Sequence, residues 1–440
     1  MTIVEQFARF AVDCRAQALS AEVTHHARRA VIDWYAAALP GAVLAPATSL
    51  QLALADEVGH GRARMVSGRS ATIRAAALIN GTAAHIVEVD DIYREAIYHP
   101  GAPTIAAALA LGQAKAVSGI AFLRAVVAGY EISTRIGAAM GRAHYRYWHN
   151  TGTIGCFGAA AAAAEILQLD QAKFAHALAT AATFAAGLQQ AFRMDSMSKP
   201  LHAGRAAEAG VTAALAAAEG VTGALDILEG DSGLGRAMSD GPDWQAALAT
   251  LGRDFHITRI TFKNHACCGH TFAPIDGALA LQAQHALRAD DIERIDIGAY
   301  RAALEVAGYE HPATPAEARF SVKYTVASAL VHGSVRLAAF EPARMADPAT
   351  RALMQRIVLH VDPELDAAFP GRRAAHIRMQ LRDGHVLTHL QPTRKGDPEQ
   401  PLTDGELEQK YLELAVPVLG QADAGALLAR LRHIETLDAI

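Results

Sequence analysis

Cysteine is scarce in this chain. Four residues (Cys14, Cys156, Cys267 and Cys268) occur in 440, and their spacing suits neither a disulfide framework nor a four-thiolate metal site. Adjacent Cys267 and Cys268 read as buried thiols, and a reducing compartment fits. Charge is scarce too: Asp, Glu, Lys and Arg make up 19% of the residues, and the formal net charge is only −5. No basic run and no interleaving of basic with aromatic residues occurs, which excludes nucleic acid as the expected partner. Long apolar runs are also missing. The least charged stretch, Ala177 to Phe192, is alanine-rich, contains Gln189 and Gln190, and falls short of the roughly 18 strongly apolar residues a membrane span needs. The N-terminal MTIVEQFARFAVDCRAQ has helical spacing of apolar and charged residues and no signal-peptide core. The expectation is a soluble, cytoplasmic protein with no membrane partner.

What is present is alanine-rich helical pattern. The chain is 51% hydrophobic with a mean hydropathy of +0.13, and its length suits two domains with large cores. Up to about residue 255, apolar residues recur at three and four. This pattern predicts helices near 4–18, 21–38, 48–57, 71–87, 103–117, 120–140, 154–167, 171–191, 204–219 and 243–252. Many contact positions are alanine, which favours helix and lets helices approach closely. The period then changes to two. Strands are expected at 256–262, 293–299, 356–361, 376–381 and 386–390, the last two flanking the turn signal Asp383-Gly384. Helices near 273–286, 315–332 and 349–355 lie between them. Helix returns after about 400, where Thr403 and Glu406 form a capping-box pattern. The fold class expected is mainly α: a large helical domain (1–263, completed by 399–440) with an inserted, smaller α+β domain at 264–398.

Against the low overall charge, the segment Asn80 to Pro103 (NGTAAHIVEVDDIYREAIYHPGAP) stands out. It crowds His85, Glu88, Asp90, Asp91, Arg94, Glu95 and His99 together between glycines and prolines. Groups so placed shift one another's pKa values, as acid–base chemistry requires. Three readings are open: an acid–base site, a metal site on His85, Asp90, Asp91 and His99, or aspartates that merely cap the next element. The spacing matches no metal-ligand signature, and no metal or other cofactor is assigned.

Other segments offer weaker signals. His149-Asn150-Thr151-Gly152-Thr153 precedes an alanine-rich helix and could present N–H groups to a carboxylate; Thr151 is the candidate binding residue. Met197 to Arg205 brings Lys199, His202 and Arg205 to another helix start, where they could hold a substrate carboxylate. Lys263 to Asp276 carries His265 and His270 across the domain boundary. Tyr324, in Phe320-Ser321-Val322-Lys323-Tyr324, is by default a core aromatic with a bonded hydroxyl.

Taken together, NGTAAH…VDD…HPGAP, GYEISTRIG, HNTGTIGCFGAAAAAAEIL, KPLHAGRAAEAGV, LEGDSG, KNHACC…ID, FSVKYTVASAL and KGDPEQPLTDGELEQKY resemble the MmgE/PrpD family, which includes 2-methylcitrate dehydratase, cis-aconitate decarboxylase and iminodisuccinate epimerase. The resemblance covers nearly the whole chain. It implies a helical domain with an α+β lid, a homodimer, and cofactor-free chemistry on a small di- or tricarboxylate. By position it implicates Glu88, His99, Lys199 and Tyr324. His99 or Tyr324 is expected to move the proton, Asp90 or Glu88 to orient His99, and Thr151, His202 and Arg205 to help bind substrate. The chain departs from the family pattern at Glu88 (usually Asp), Ile92 (often Thr) and Phe272 (usually the lid histidine). His270 lies two residues before Phe272, about 200° away around a helix, and is the candidate replacement. The resemblance implies a lyase, foremost a hydro-lyase of the methylcitrate dehydratase type. The alternatives are a decarboxylase, an epimerase, or a non-catalytic ligand-binding relative.

Overall fold

In the computed structural model, all residues are described except Arg193, Asp195 and Pro370. The chain is mainly α-helical. It forms two compact units: Met1–Thr261 with Thr403–Ile440, and Phe262–Leu402.

The core of the first unit is built from helices Ile73–Ala84, Gly101–Lys115, Gly119–Tyr145, Gly155–Ile166 and Ser198–Ala218, which pack on one another. Residues 159–164, the alanine run, are all fully buried. A buried methyl contributes on the order of 1 kcal/mol or less, so this core depends on many contacts at close range. Glycine supplies the closest approach. A Cβ at Gly204 would lie 2.2 Å from the Leu78 carbonyl oxygen, and one at Gly81 would lie 3.0 Å from the Gly204 Cα. That close crossing brings the start of helix Ser198–Ala218 alongside the end of helix Ile73–Ala84, where the charged segment begins.

Helix Asp404–Leu419 starts with the expected capping box of Thr403 and Glu406 and packs on helix Ala21–Ala42. Among the described residues, no single helix is long and apolar enough to cross a membrane.

Two expectations fail locally in this unit. Residues 256–262 do not form a strand: His256–Arg259 is a 3₁₀ turn, and only Thr261 makes a bridge, to Ile92. The apolar residues of the segment, Ile257, Ile260 and Phe262, are buried without a sheet. The His256 backbone N–H is taken by the Glu131 carboxylate, and the His256 ring stacks on Tyr93 at 5.0 Å. The helix expected over 171–191 ends at Ala182, and the chain reaches a positive-φ glycine at Gly187. An unforeseen ribbon pairs β1 (Val58–Arg64) with β2 (Ser70–Ala71); β1 carries no alternating pattern to reveal it.

The second unit holds a four-stranded sheet of β3 (Ile292–Ala299), β4 (Ile357–Val361), β5 (Ala375–Leu381) and β6 (Val386–Gln391), in the order β4-β3-β5-β6. β3 and β4 run parallel; the other pairs are antiparallel. The β5–β6 hairpin turns at Gly384, whose φ of +90° suits glycine. One face of β5 is buried, Ile377 and Met379 included, with helix Phe272–His285 packed on the strand.

Candidate active site

Helix Ile73–Ala84 ends with His85 as its C-cap, and the chain leaves the helix through Glu88 in the left-handed region (φ +60°). That turn sends neighbouring carboxylates to different partners. The Glu88 carboxylate pairs with the Lys199 ammonium at the start of helix Ser198–Ala218, both residues partly buried. Asp90 is buried and accepts a 2.6 Å hydrogen bond from His85 Nδ1. The same oxygen, Oδ2, lies 3.2 Å from Nδ1 of His99. Burial would raise the Asp90 carboxyl, but the His85 and His99 imidazoles facing it hold it well below the usual carboxylate range. An ionised carboxylate only accepts, so the Nδ1 of His85 carries the proton, and the Asp90 charge 3.2 Å from Nδ1 of His99 favours the same tautomer there. For His99 that tautomer leaves Nε2 as the ring's acceptor nitrogen.

Asp91 does something else. Its Oδ2 accepts a 2.7 Å bond from the Tyr130 hydroxyl and its Oδ1 a 3.0 Å bond from the Gly101 N–H. Burial, and then the Asp33 carboxylate, push Asp91 up to about 8. It is therefore a neutral acid near pH 7 that anchors the His99-Pro100-Gly101 turn. The close fit explains Gly101: a Cβ there would lie 2.7 Å from the Tyr130 hydroxyl oxygen.

The histidines continue into a stack. His99 meets His85 edge-on at 4.8 Å between ring centres, and His85 stacks on His149 at 5.4 Å. His149 Nδ1 is 3.0 Å from His202 Nδ1, one ring donating to the other. Burial, only partly offset by Asp90, lowers His85 to about 4. Burial, reinforced by His85 and then Lys199, holds His149 well below an ordinary imidazole. Both rings are neutral near pH 7, which spares the cluster a buried cation beside Lys199. The Phe192 ring closes the group, edge-on to His149 at 4.8 Å and 5.2 Å beneath the Lys199 ammonium. Thr151 sits beside the turn, its hydroxyl oxygen accepting a 3.4 Å bond from the His99 N–H.

The structure thus brings together Glu88, Asp90, His99, Lys199, Thr151 and His202 of the residues expected from sequence. Arg205 points elsewhere: it is exposed and pairs at 2.9 Å with Glu208 on its own helix. In the second unit, His270 bonds the Tyr300 hydroxyl at 2.7 Å, and burial lowers it to about 3. The Tyr324 hydroxyl donates to the Ala339 carbonyl, and burial raises it. Phe272 is fully buried in that unit, edge-on to His265 with the Arg394 guanidinium 5.7 Å over its ring. Ile92 is buried and paired with Thr261.

Sequence reasoning gave His85 a role only in the metal reading and gave none to His149, although both stood in segments that attracted notice. The signal for His85 is its place at the helix end five residues before Asp90. Nothing local marks His149 as its stacking partner, since 64 residues separate them.

His85, Asp90 and His99 offer three ligand atoms within 4.8 Å of one another. Ligands of a tetrahedral ion with bonds of 2.0–2.1 Å stand about 3.3 Å apart. The 2.6 Å separation of His85 Nδ1 from Asp90 Oδ2 is instead that of a charge-assisted hydrogen bond. No metal is assigned to this set.

The chain is similar to cis-aconitate decarboxylase-like protein oryM of Aspergillus oryzae, with 27% identity over 446 residues, covering 95% of this chain and 91% of the relative. It is 26% identical to cis-aconitate decarboxylase of Homo sapiens over 374 residues, 82% of this chain and 77% of the relative. The figure for cis-aconitate decarboxylase of Aspergillus terreus is 24% over 460 residues, 99% and 92% of the two chains. The MmgE/PrpD N-terminal domain matches residues 5–247 and the MmgE/PrpD C-terminal domain residues 265–433. With both halves present in order, this chain belongs to the MmgE/PrpD family.

Proposed function

We propose that the protein is a carboxy-lyase that decarboxylates cis-aconitate or a close tricarboxylate relative without a cofactor. The observation that carries this reading is the His99–Asp90 pair in the same cluster as Lys199. The relatives' names favour the decarboxylase alternative over the hydro-lyase that headed the sequence expectation.

Decarboxylation breaks a carbon–carboxylate bond, and the electron pair left behind must be stabilised and then protonated. In an unsaturated tricarboxylate the pair can move through the neighbouring double bond, so one proton enters on carbon as one CO2 leaves. Lys199, held at Glu88, supplies a fixed cation for a substrate carboxylate and for the developing charge. His99 delivers the proton from Nε2, while Asp90 fixes the ring through Nδ1 and stabilises its charged form. His85 and His149, both neutral, fill the volume behind these groups without competing for the substrate's charge. His202 is placed to assist Lys199 in binding, and Thr151 fixes the backbone at His99. His270 and Tyr324 are given no step, because each is committed to a partner in its own unit. On the family resemblance we further propose a homodimer with a cytoplasmic setting.

The test is a panel of di- and tricarboxylates followed by NMR, with 2-methylcitrate beside cis-aconitate. The reading expects CO2 release from cis-aconitate at a kcat/KM at least tenfold above any dehydration of 2-methylcitrate. Dehydration as the faster reaction would return the hydro-lyase reading to first place.

A further inference from the structure

We propose that Lys410 is a positioning residue for this site, holding the Val89 carbonyl and so fixing the Val89–Asp90 peptide; this rests on the acid–base reading of Asp90. Lys410 lies on helix Asp404–Leu419 and is completely buried. Its ammonium donates to Asp33 Oδ1 at 2.6 Å and to the Val89 carbonyl oxygen at 2.7 Å. Asp33, on helix Ala21–Ala42, is also buried.

An ion pair in an apolar core is a poor stability device, since well-packed hydrophobic residues of the same volume commonly do as well or better. The bond to Val89 gives this pair another use. Val89 stands between Glu88, whose φ of +60° is rare for a residue with a side chain, and Asp90. Rotation of the Val89–Asp90 peptide, which carries the Val89 oxygen, would swing the Asp90 carboxylate off His99 and His85. A cation anchored at Asp33 and bonded to the Val89 oxygen resists the rotation. The segment after residue 403, distant in sequence from every candidate catalytic residue, thereby enters the geometry of the site.

The test compares two variants with the wild type, using cis-aconitate as substrate. Asp33→Asn keeps the Lys410 donor on Val89 and should leave kcat within about threefold. Asp33→Asn with Lys410→Met removes both charges, so no unpaired ion is left, but it also removes the donor. Its kcat should fall on the order of 10- to 100-fold, as small misplacements of catalytic groups cost, with KM within about threefold. Crystal structures should show the Val89 carbonyl turned and the Asp90 carboxylate displaced from His99 in the double variant only. Should that variant not fold, Asp33→Leu with Lys410→Met, a fully apolar replacement, serves for the same comparison. A folded double variant with wild-type kcat and an unmoved Val89 carbonyl would overturn the proposal, as would an equal loss in Asp33→Asn. If the wild type decarboxylates nothing, the functional reading alone fails, and the crystal structures still decide the positioning of Val89.

Discussion

His99 Nδ1 lies 3.2 Å from Asp90 Oδ2, an oxygen that His85 Nδ1 also reaches at 2.6 Å. One buried carboxylate therefore faces two imidazoles, and of the two rings only His99 is partly accessible. Asp90→Asn keeps the shape but loses the charge and permits the wrong tautomer at His99. In the Ser-His-Asp triad the equivalent change lowers kcat by about 10⁴-fold, and a large loss in kcat with little change in KM is expected here. A steady-state comparison that found kcat within threefold of wild type would remove Asp90 from the mechanism.

Lys199 carries the substrate's charge in this account, so its loss should appear in binding as well as in turnover. A hydrogen bond to a charged group is worth about 1.5–3 kcal/mol, roughly 10- to 150-fold in affinity. Lys199→Met should weaken binding of a non-reacting tricarboxylate by that factor in calorimetry. Arg205→Ala, whose guanidinium is engaged with Glu208, should leave binding unchanged. Equal losses in the two variants would mean that Arg205 also holds the substrate.

Asp91 gives the fold a pH dependence with a definite sign. Its folded pKa of about 8 stands above the ordinary 3.8 of a free carboxyl, so between these limits the folded protein holds a proton the unfolded chain has lost. Its contribution to stability is full at low pH and is lost progressively as pH rises towards 8. Asp91→Asn keeps both hydrogen-bonding positions and never ionises. The melting midpoint of the variant should therefore gain on that of the wild type as pH rises from 5 to 8, and the gap should level off above 8. A gap that stays constant with pH would place Asp91 as an ordinary ionised carboxylate.

The hydrogen-bond spacing at His85 and Asp90 predicts indifference to metal removal. Dialysis against a chelator should leave turnover unchanged. Loss of activity that added zinc or magnesium restores would show that the His85–Asp90–His99 set binds an ion during catalysis.

Much of this was legible in the sequence, because the signals are local. The helical period, the Thr403–Glu406 capping box, the Asp383-Gly384 hairpin and the four strands of the sheet all follow from neighbouring residues. The crowded segment after Asn80 announced a site for the same reason. What was not legible depends on distance or on tertiary burial. Residues 256–262 alternate like a strand, yet Glu131 and Tyr93 hold them in a turn. Arg205 looked like a second cation for a substrate, but helical spacing gives it to Glu208. His85 finds His149 across 64 residues, and Lys410 finds Val89 across 321. No spacing rule reaches that far.

The most direct test of the account is incubation of the protein with cis-aconitate in deuterated water, counting CO2 and locating deuterium in the product. The account predicts one CO2 released and one deuteron placed on carbon per unsaturated dicarboxylate formed, with His99→Gln stopping both. Exchange or addition of water without CO2 release, or undiminished CO2 release by His99→Gln, would contradict it.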